Sequence, residues 1–181
     1  MVGVALVLEQ KAQLYWQGPA LLLAWAAIEE ILKFGAAYFV ALRARVFDEP
    51  LDAIVYMVTA ALGFSAFENA LFLLTPLLHG DVVRSIVTGD LRFIGATLLH
   101  CLSSATIGLC LAYAYYKGAA VRRFAGVVGV ILAVALHTAF NFFILGGGGG
   151  GTFWIFLCIW FGVVAMLFLV EQIKQPARDY C

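Results

Sequence analysis

The chain has 181 residues, of which 64% are hydrophobic and 12% charged, with a formal net charge of zero. Soluble domains run nearer half apolar and a quarter charged, so the composition excludes an ordinary soluble domain. It indicates one all-α, polytopic membrane helix bundle, and the balanced charge offers no basis for a nucleic-acid partner.

A membrane span needs roughly 20 consecutive apolar residues. Met1 to Leu8 is apolar but too short, and it lacks the basic start of a signal peptide. It is compatible with the tail of a helix that begins further upstream. Five spans are then expected, at 19–42, 52–78, 93–116, 124–145 and 152–171, in a single domain covering 1–181. Pro19 suits a helix start. Pro50 suits the loop before the second span, Pro76 falls near that span's far end, and Pro176 lies in the polar tail. The run Gly146 to Gly151 reads as a flexible loop, because glycine weakens helix interiors. No internal repeat is visible.

Lysine and arginine counts set the orientation of such a bundle. Arg43, Arg45, Lys117, Arg122, Arg123, Lys174 and Arg178 share one set of loops, and Lys11, Arg84 and Arg92 share the other. The first set is expected to be cytoplasmic, which sends the N-terminus and the glycine run outward.

Four spans carry groups that hydrocarbon tolerates poorly. They are Glu29, Glu30 and Lys33 in the first, Glu68 with Asn69 in the second, His100 in the third, and His137 with Asn141 in the fourth. An ionised side chain at mid-bilayer costs at least about 3 kcal/mol on insertion scales. At 1.5 Å per residue Glu29, Glu30, Glu68, His100 and His137 fall roughly 10–15 Å below the outer surface. They read as one polar site assembled from several helices.

Within the first span, Glu29 and Glu30 lie four and three residues before Lys33, so a carboxylate and an ammonium meet on neighbouring turns. Lys33 can neutralise one glutamate, leaving the other as a general base or acid. The alternative is a structural ion pair. Glu68 has no evident cation except Lys33, and it could serve as metal ligand, second base or partner of a histidine. His100 shares a face with Ser103 or Ser104, and His137 shares one with Asn141. Histidine can bind metal or stabilise an oxyanion, and asparagine can donate to one. Buried packing roles are the alternatives for each.

Other features carry less. Ser65, in Gly63-Phe64-Ser65-Ala66, matches a short string of rhomboid-type serine proteases, but a small residue at a helix contact explains it better. Cys101, Cys110 and Cys158 lie in apolar spans and Cys181 is the last residue, with no metal-type spacing. Cys101 is adjacent to His100 and points about 100° away from it. The aromatics from Phe142 to Phe161 suit an interfacial belt and a lipid-facing surface.

Taken in order, several pieces resemble the PrsW family of intramembrane proteases, relatives of the CAAX-processing and bacteriocin-immunity membrane proteins. They are Glu29-Glu30-x-x-Lys33, Phe47-Asp48-Glu49-Pro50-Leu51-Asp52, Gly63-Phe64-x-x-Phe67-Glu68-Asn69, His100 with Gly108, and His137-x-x-x-Asn141. The resemblance spans about residues 20–145. It implies endoproteolysis of a single-pass membrane protein, such as site-1 cleavage of an anti-sigma factor, in a bacterial plasma membrane. It also implies a catalytic set of Glu29, Glu30, Glu68, His100, His137 and Asn141, supported by Lys33. The cofactor is either a divalent metal such as zinc, held by Glu68, His100 and His137, or none. The chain departs from the family in its six-glycine run.

The expected mechanism has Glu29 or Glu30 activate a water, with Lys33 setting which is ionised, while Asn141 and a histidine stabilise the oxyanion. Two other classes stay open. A non-catalytic binding or immunity scaffold would keep its function without the buried carboxylates. A proton- or ion-coupled transporter would use them as a relay, although no inverted repeat is present.

Overall fold

A computed structural model describes residues 1–146 and 149–174. Among these residues seven α-helices follow in order: α1 (Val2–Ala12), α2 (Gly18–Ala37), α3 (Pro50–Leu78), α4 (Val82–Ile94), α5 (Ala96–Tyr113), α6 (Ala119–Gly146) and α7 (Gly149–Lys174). There is no strand among the described residues. In hydrocarbon only helices or closed barrels satisfy every backbone polar group, so an all-helical chain is the expected solution.

Among the described residues four stretches are long and apolar enough to cross a membrane: Pro50–Leu78, Ser85–Tyr113, Ala119–Leu145 and Phe153–Ile173. The protein is a multi-pass integral membrane protein. The remaining expected span, 19–42, corresponds to α2, which continues through a π-helical turn at Tyr38–Leu42. Composition alone does not qualify α2, because Glu29, Glu30 and Lys33 crowd one stretch of it. It packs against α1, α3, α5 and α6, which cover those charges.

Local signals explain where the helices start. Pro19 sits in the first turn of α2. Pro50 opens α3, where Glu49 and Asp52 form a capping box and Asp52 Oδ2 accepts from the backbone N–H groups of Asp48 and Glu49 at 3.1 Å. The Asp48-Glu49-Pro50-Leu51-Asp52 string is therefore a helix start. Each side chain satisfies a backbone donor that the first turn leaves open.

Two expectations are corrected. Residues 79–92 were expected as loop, yet Val82–Ile94 form α4, an amphipathic helix packed on α3 and α5. The glycine run was expected as a loop throughout. Gly146 ends α6, and Gly149, Gly150 and Gly151 begin α7. Gly147 and Gly148 lie outside the described residues. Without water to accept hydrogen bonds, backbone pairing outweighs the entropic cost of helical glycine.

α5 is the most buried span and α7 the least, so α5 is the axis and α7 faces lipid. Close helix contacts depend on glycine. A Cβ at Gly108 would stand 2.6 Å from Ile54 Cα on α3, and one at Gly129 would stand 2.9 Å from Ile107 Cα on α5. These two contacts hold α5 tightly between α3 and α6, with Met57, Ile107 and Ala133 packed beneath the polar groups.

Candidate active site

The charged stretch of α2 meets α5 and α6 at its centre. Glu30 is fully buried, and Lys33 is the largest fully buried side chain among the described residues. Lys33 Nζ lies against Glu30 Oε1, one turn earlier on the same helix. Ser103 Oγ donates to the same oxygen at 2.9 Å, and Ser104 Oγ donates to Oε2 at 3.2 Å. His137 Nδ1 lies 2.9 Å from Glu30 Oε1. Both oxygens of Glu30 are thus occupied by groups from α2, α5 and α6. A buried charge persists only when it is paired and hydrogen-bonded, and Glu30 meets that condition.

The histidine tautomers follow from their partners. Glu30 is an acceptor, so His137 donates through Nδ1–H and keeps a lone pair on Nε2. Lys33 Nζ lies 2.9 Å from His100 Nδ1, which must accept. His100 therefore donates through Nε2–H to Glu68 Oε2 at 3.0 Å. The two imidazoles meet edge to face, with ring centroids 5.0 Å apart.

Glu29 differs from its neighbour. Its Oε2 is buried and has no hydrogen-bond partner among the described residues. That oxygen lies 3.6 Å from His100 Nδ1 and 3.9 Å from His137 Nε2. Adjacent helical residues point about 100° apart, which turns Glu30 into the bundle and Glu29 toward an open space. This space is a cavity of about 710 Å³ lined by Glu29, Glu68, His100, His137 and Asn141, together with Glu9 from α1.

All six residues expected to form the site, with Lys33, are therefore brought together. Asn141 projects to the cavity with no side-chain hydrogen bond among the described residues. Glu68 has a cation that sequence reasoning missed: Arg92 of α4 pairs with its Oε2 at 3.0 Å. The same guanidinium donates to Asn69 Oδ1 at 3.0 Å and lies over the Phe72 ring. Asn69 in turn donates to Thr97 Oγ1 at 3.0 Å. Ser65 is buried and donates to Thr97 at 2.9 Å, so it is a helix-contact residue here.

Glu29, His100 and His137 each offer one ligand atom within 4.8 Å of the others. Two histidines and a carboxylate form a common catalytic zinc set. The remaining nitrogens of both rings are held by carboxylates, Glu30 and Glu68, as metal-binding histidines usually are. With the orphaned oxygen of Glu29 the two rings make a donor set that fits a divalent metal once Lys33 Nζ leaves the His100 Nδ1 lone pair it occupies. Glu29 takes the place in this set that the sequence reading gave to Glu68, which reaches His100 from the opposite side of the ring.

Residues 1–170 match the family described as PrsW family intramembrane metalloprotease. The chain belongs to the PrsW family. It is similar to the "Protease PrsW" of Geobacillus kaustophilus (strain HTA426), 28% identical over 155 residues that make up 84% of this chain and 64% of the relative. It is also similar to the "Protease PrsW" of Shouchella clausii (strain KSM-K16), 24% identical over 156 residues, 86% of this chain and 67% of the relative. The chain thus spans about two thirds of the length of these curated relatives. No solved structure matches the chain. The matched region contains every residue of the buried polar cluster.

Proposed function

We propose that the protein is an intramembrane endopeptidase that hydrolyses a peptide bond of a membrane-anchored protein with Glu29 as the proton acceptor. The observation that carries this reading is the orphaned buried oxygen of Glu29, facing a cavity beside a histidine lone pair. A carboxylate buried without partners is costly. Its retention is explained if it acts on a molecule that enters the cavity.

In this mechanism a water lies between Glu29 and His137 Nε2. His137 accepts one hydrogen bond and orients the water, while Glu29 takes the other proton. The hydroxide oxygen bonds to the scissile carbonyl carbon, and the Asn141 amide donates to the oxyanion. Glu29 returns its proton to the amide nitrogen as the C–N bond breaks, giving a carboxyl and an amine. Glu30 cannot take the base role in this arrangement, because both its oxygens are occupied. It fixes the tautomer and direction of His137, and Glu68 does the same for His100. Lys33 pairs with the Glu30 carboxylate and holds it in place.

In a metal-loaded state, which would replace the water contacts just described and leave Glu29 unavailable as the base, Glu29, His100 and His137 would hold a divalent metal. Bound there, it would act as a Lewis acid on the carbonyl and lower the pKa of a coordinated water. The substrate would be a single-pass membrane protein, such as an anti-sigma factor cleaved at site 1, in a bacterial plasma membrane. The lipid bilayer is the medium of the reaction, with access from the outer face.

The test compares wild type with Glu29→Gln in matched cells, following single-span membrane proteins for shortened fragments. Fragments present with wild type and lost with Glu29→Gln support the reading. Fragments that persist with the variant sink Glu29 as the base. Phenotypic function that survives loss of every buried carboxylate would favour a scaffold.

A further inference from the structure

A second cavity, of about 850 Å³, lies at the opposite ends of α2 and α6 from the polar site. Its walls are apolar and include Phe34, Leu111, Val127 and Val130, while Arg43, Arg122 and Arg123 also line it. Arg43 follows the π-helical turn and stacks against Tyr38 and Phe39, with its guanidinium carbon 5.7 Å from each ring centroid. None of the three arginines forms an ion pair with a carboxylate among the described residues. Arg122 and Arg123 lie near the start of α6, where the helix dipole already adds positive charge and the first turn has no acidic residue. Among the described residues no ion pair neutralises these arginines, although Asp48 and Asp52 lie on the same side, near Tyr115 and Arg122.

Depth and polarity together define the occupant. From Arg43 back to Phe34, or from Arg123 on to Val130, the groove runs about 10–14 Å along the helices at 1.5 Å per residue. An apolar trough of that depth, closed at one end by guanidinium groups, matches a molecule with a hydrocarbon tail and an anionic head. Basic pockets between transmembrane helices take such headgroups. The geometry points to a binding site for one anionic phospholipid between α2 and α6, its phosphate on Arg43, Arg122 and Arg123 and an acyl chain along Phe34 and Val130. The same rim carries most of the loop lysines and arginines, the side on which anionic lipid is met.

The site can be tested by native mass spectrometry of the full chain from mixed micelles containing phosphatidylglycerol or phosphatidylcholine. One phosphatidylglycerol should be retained, with at least tenfold preference over phosphatidylcholine. Arg43→Gln with Arg122→Gln and Arg123→Gln should abolish that preference, and the corresponding lysine variants should keep most of it. Val127→Trp, which leaves every charge in place and fills the trough, should reduce retention at least tenfold. Arg45→Gln, outside the groove, should change nothing. Should the triple glutamine variant fail to fold, Val127→Trp and the lysine variants decide. Equal retention of the two lipids, unchanged retention in Val127→Trp, or displacement by millimolar inorganic phosphate would overturn the proposal. The last of these would mark a free-anion site.

Discussion

The two cavities lie at opposite ends of the same helix pair and treat charge in opposite ways. In the buried cluster beside the polar cavity the ionisable groups other than Glu29 have partners from another helix: Glu30 with Ser103, Ser104 and His137, and Glu68 with Arg92 and His100. Around the arginine-lined groove three arginines form no ion pair with a carboxylate among the described residues. The difference follows from solvent. An unpaired charge at the membrane surface is hydrated, whereas one at mid-bilayer costs several kcal/mol unless it is paired. A single unpartnered carboxylate oxygen is unremarkable at the rim and demands an explanation inside, which is why Glu29 stands out.

That contrast can be broken most decisively at Glu29. Glu29→Gln is expected to lower the cleavage rate by about 10²–10⁴, the range that positioned acid–base groups contribute. Phosphatidylglycerol retention should be unchanged, so a variant that loses both has lost its fold.

Breaking a saturated pair tests the other half of the contrast. Lys33→Met leaves Glu30 buried without its cation and should destabilise the bundle by about 3–5 kcal/mol. The double variant Lys33→Met/Glu30→Gln should recover much of that loss. Equilibrium unfolding in mixed micelles reads both, and equal stability of the single and double variants would contradict the pairing.

Metal content sharpens the division of labour among the carboxylates. Zinc bound to the purified full chain, read by elemental mass spectrometry, should fall to background with His137→Ala. It should weaken by about 10–100-fold with Glu68→Gln, the usual effect of removing a carboxylate behind a ligand histidine. Equal losses in the two variants would make Glu68 a ligand. The smallest expected effect is steric. Gly108→Ala places a methyl group against the α3 backbone and should cost about 1–3 kcal/mol, as overpacking does.

Much of this was legible in the sequence. Charged and imidazole side chains in otherwise apolar runs marked the residues that the structure gathers into one buried polar cluster, because few other reasons place Glu30 or His137 there. The separation of Glu29 from Glu30 was not legible. Neighbouring residues differ by about 100° around the helix, and only the packing of α5 and α6 decides which of them faces protein. Arg92 was missed because α4 is too short to register as a span and its long side chain reaches back to Glu68. The close approaches at Gly108 and Gly129 depend on which helix lies opposite, a relation that no local pattern encodes. The helical glycines at the start of α7 were misread because glycine's aversion to helix was applied without regard to the solvent around it.

The buried network of Glu30 also constrains the order of assembly. Its partners Ser103, Ser104 and His137 lie 73, 74 and 107 residues further along the chain. At synthesis rates of about 5–20 residues per second, His137 emerges roughly 5–20 s after Glu30. During that interval α2 carries two carboxylates and an ammonium with only a local pair between them. It is poorly suited to release into lipid alone, and the translocation machinery or the headgroup region must shelter it until α5 and α6 arrive. The biogenesis of this protein thus has a built-in waiting step, set by the distance in sequence between a charge and the helices that neutralise it.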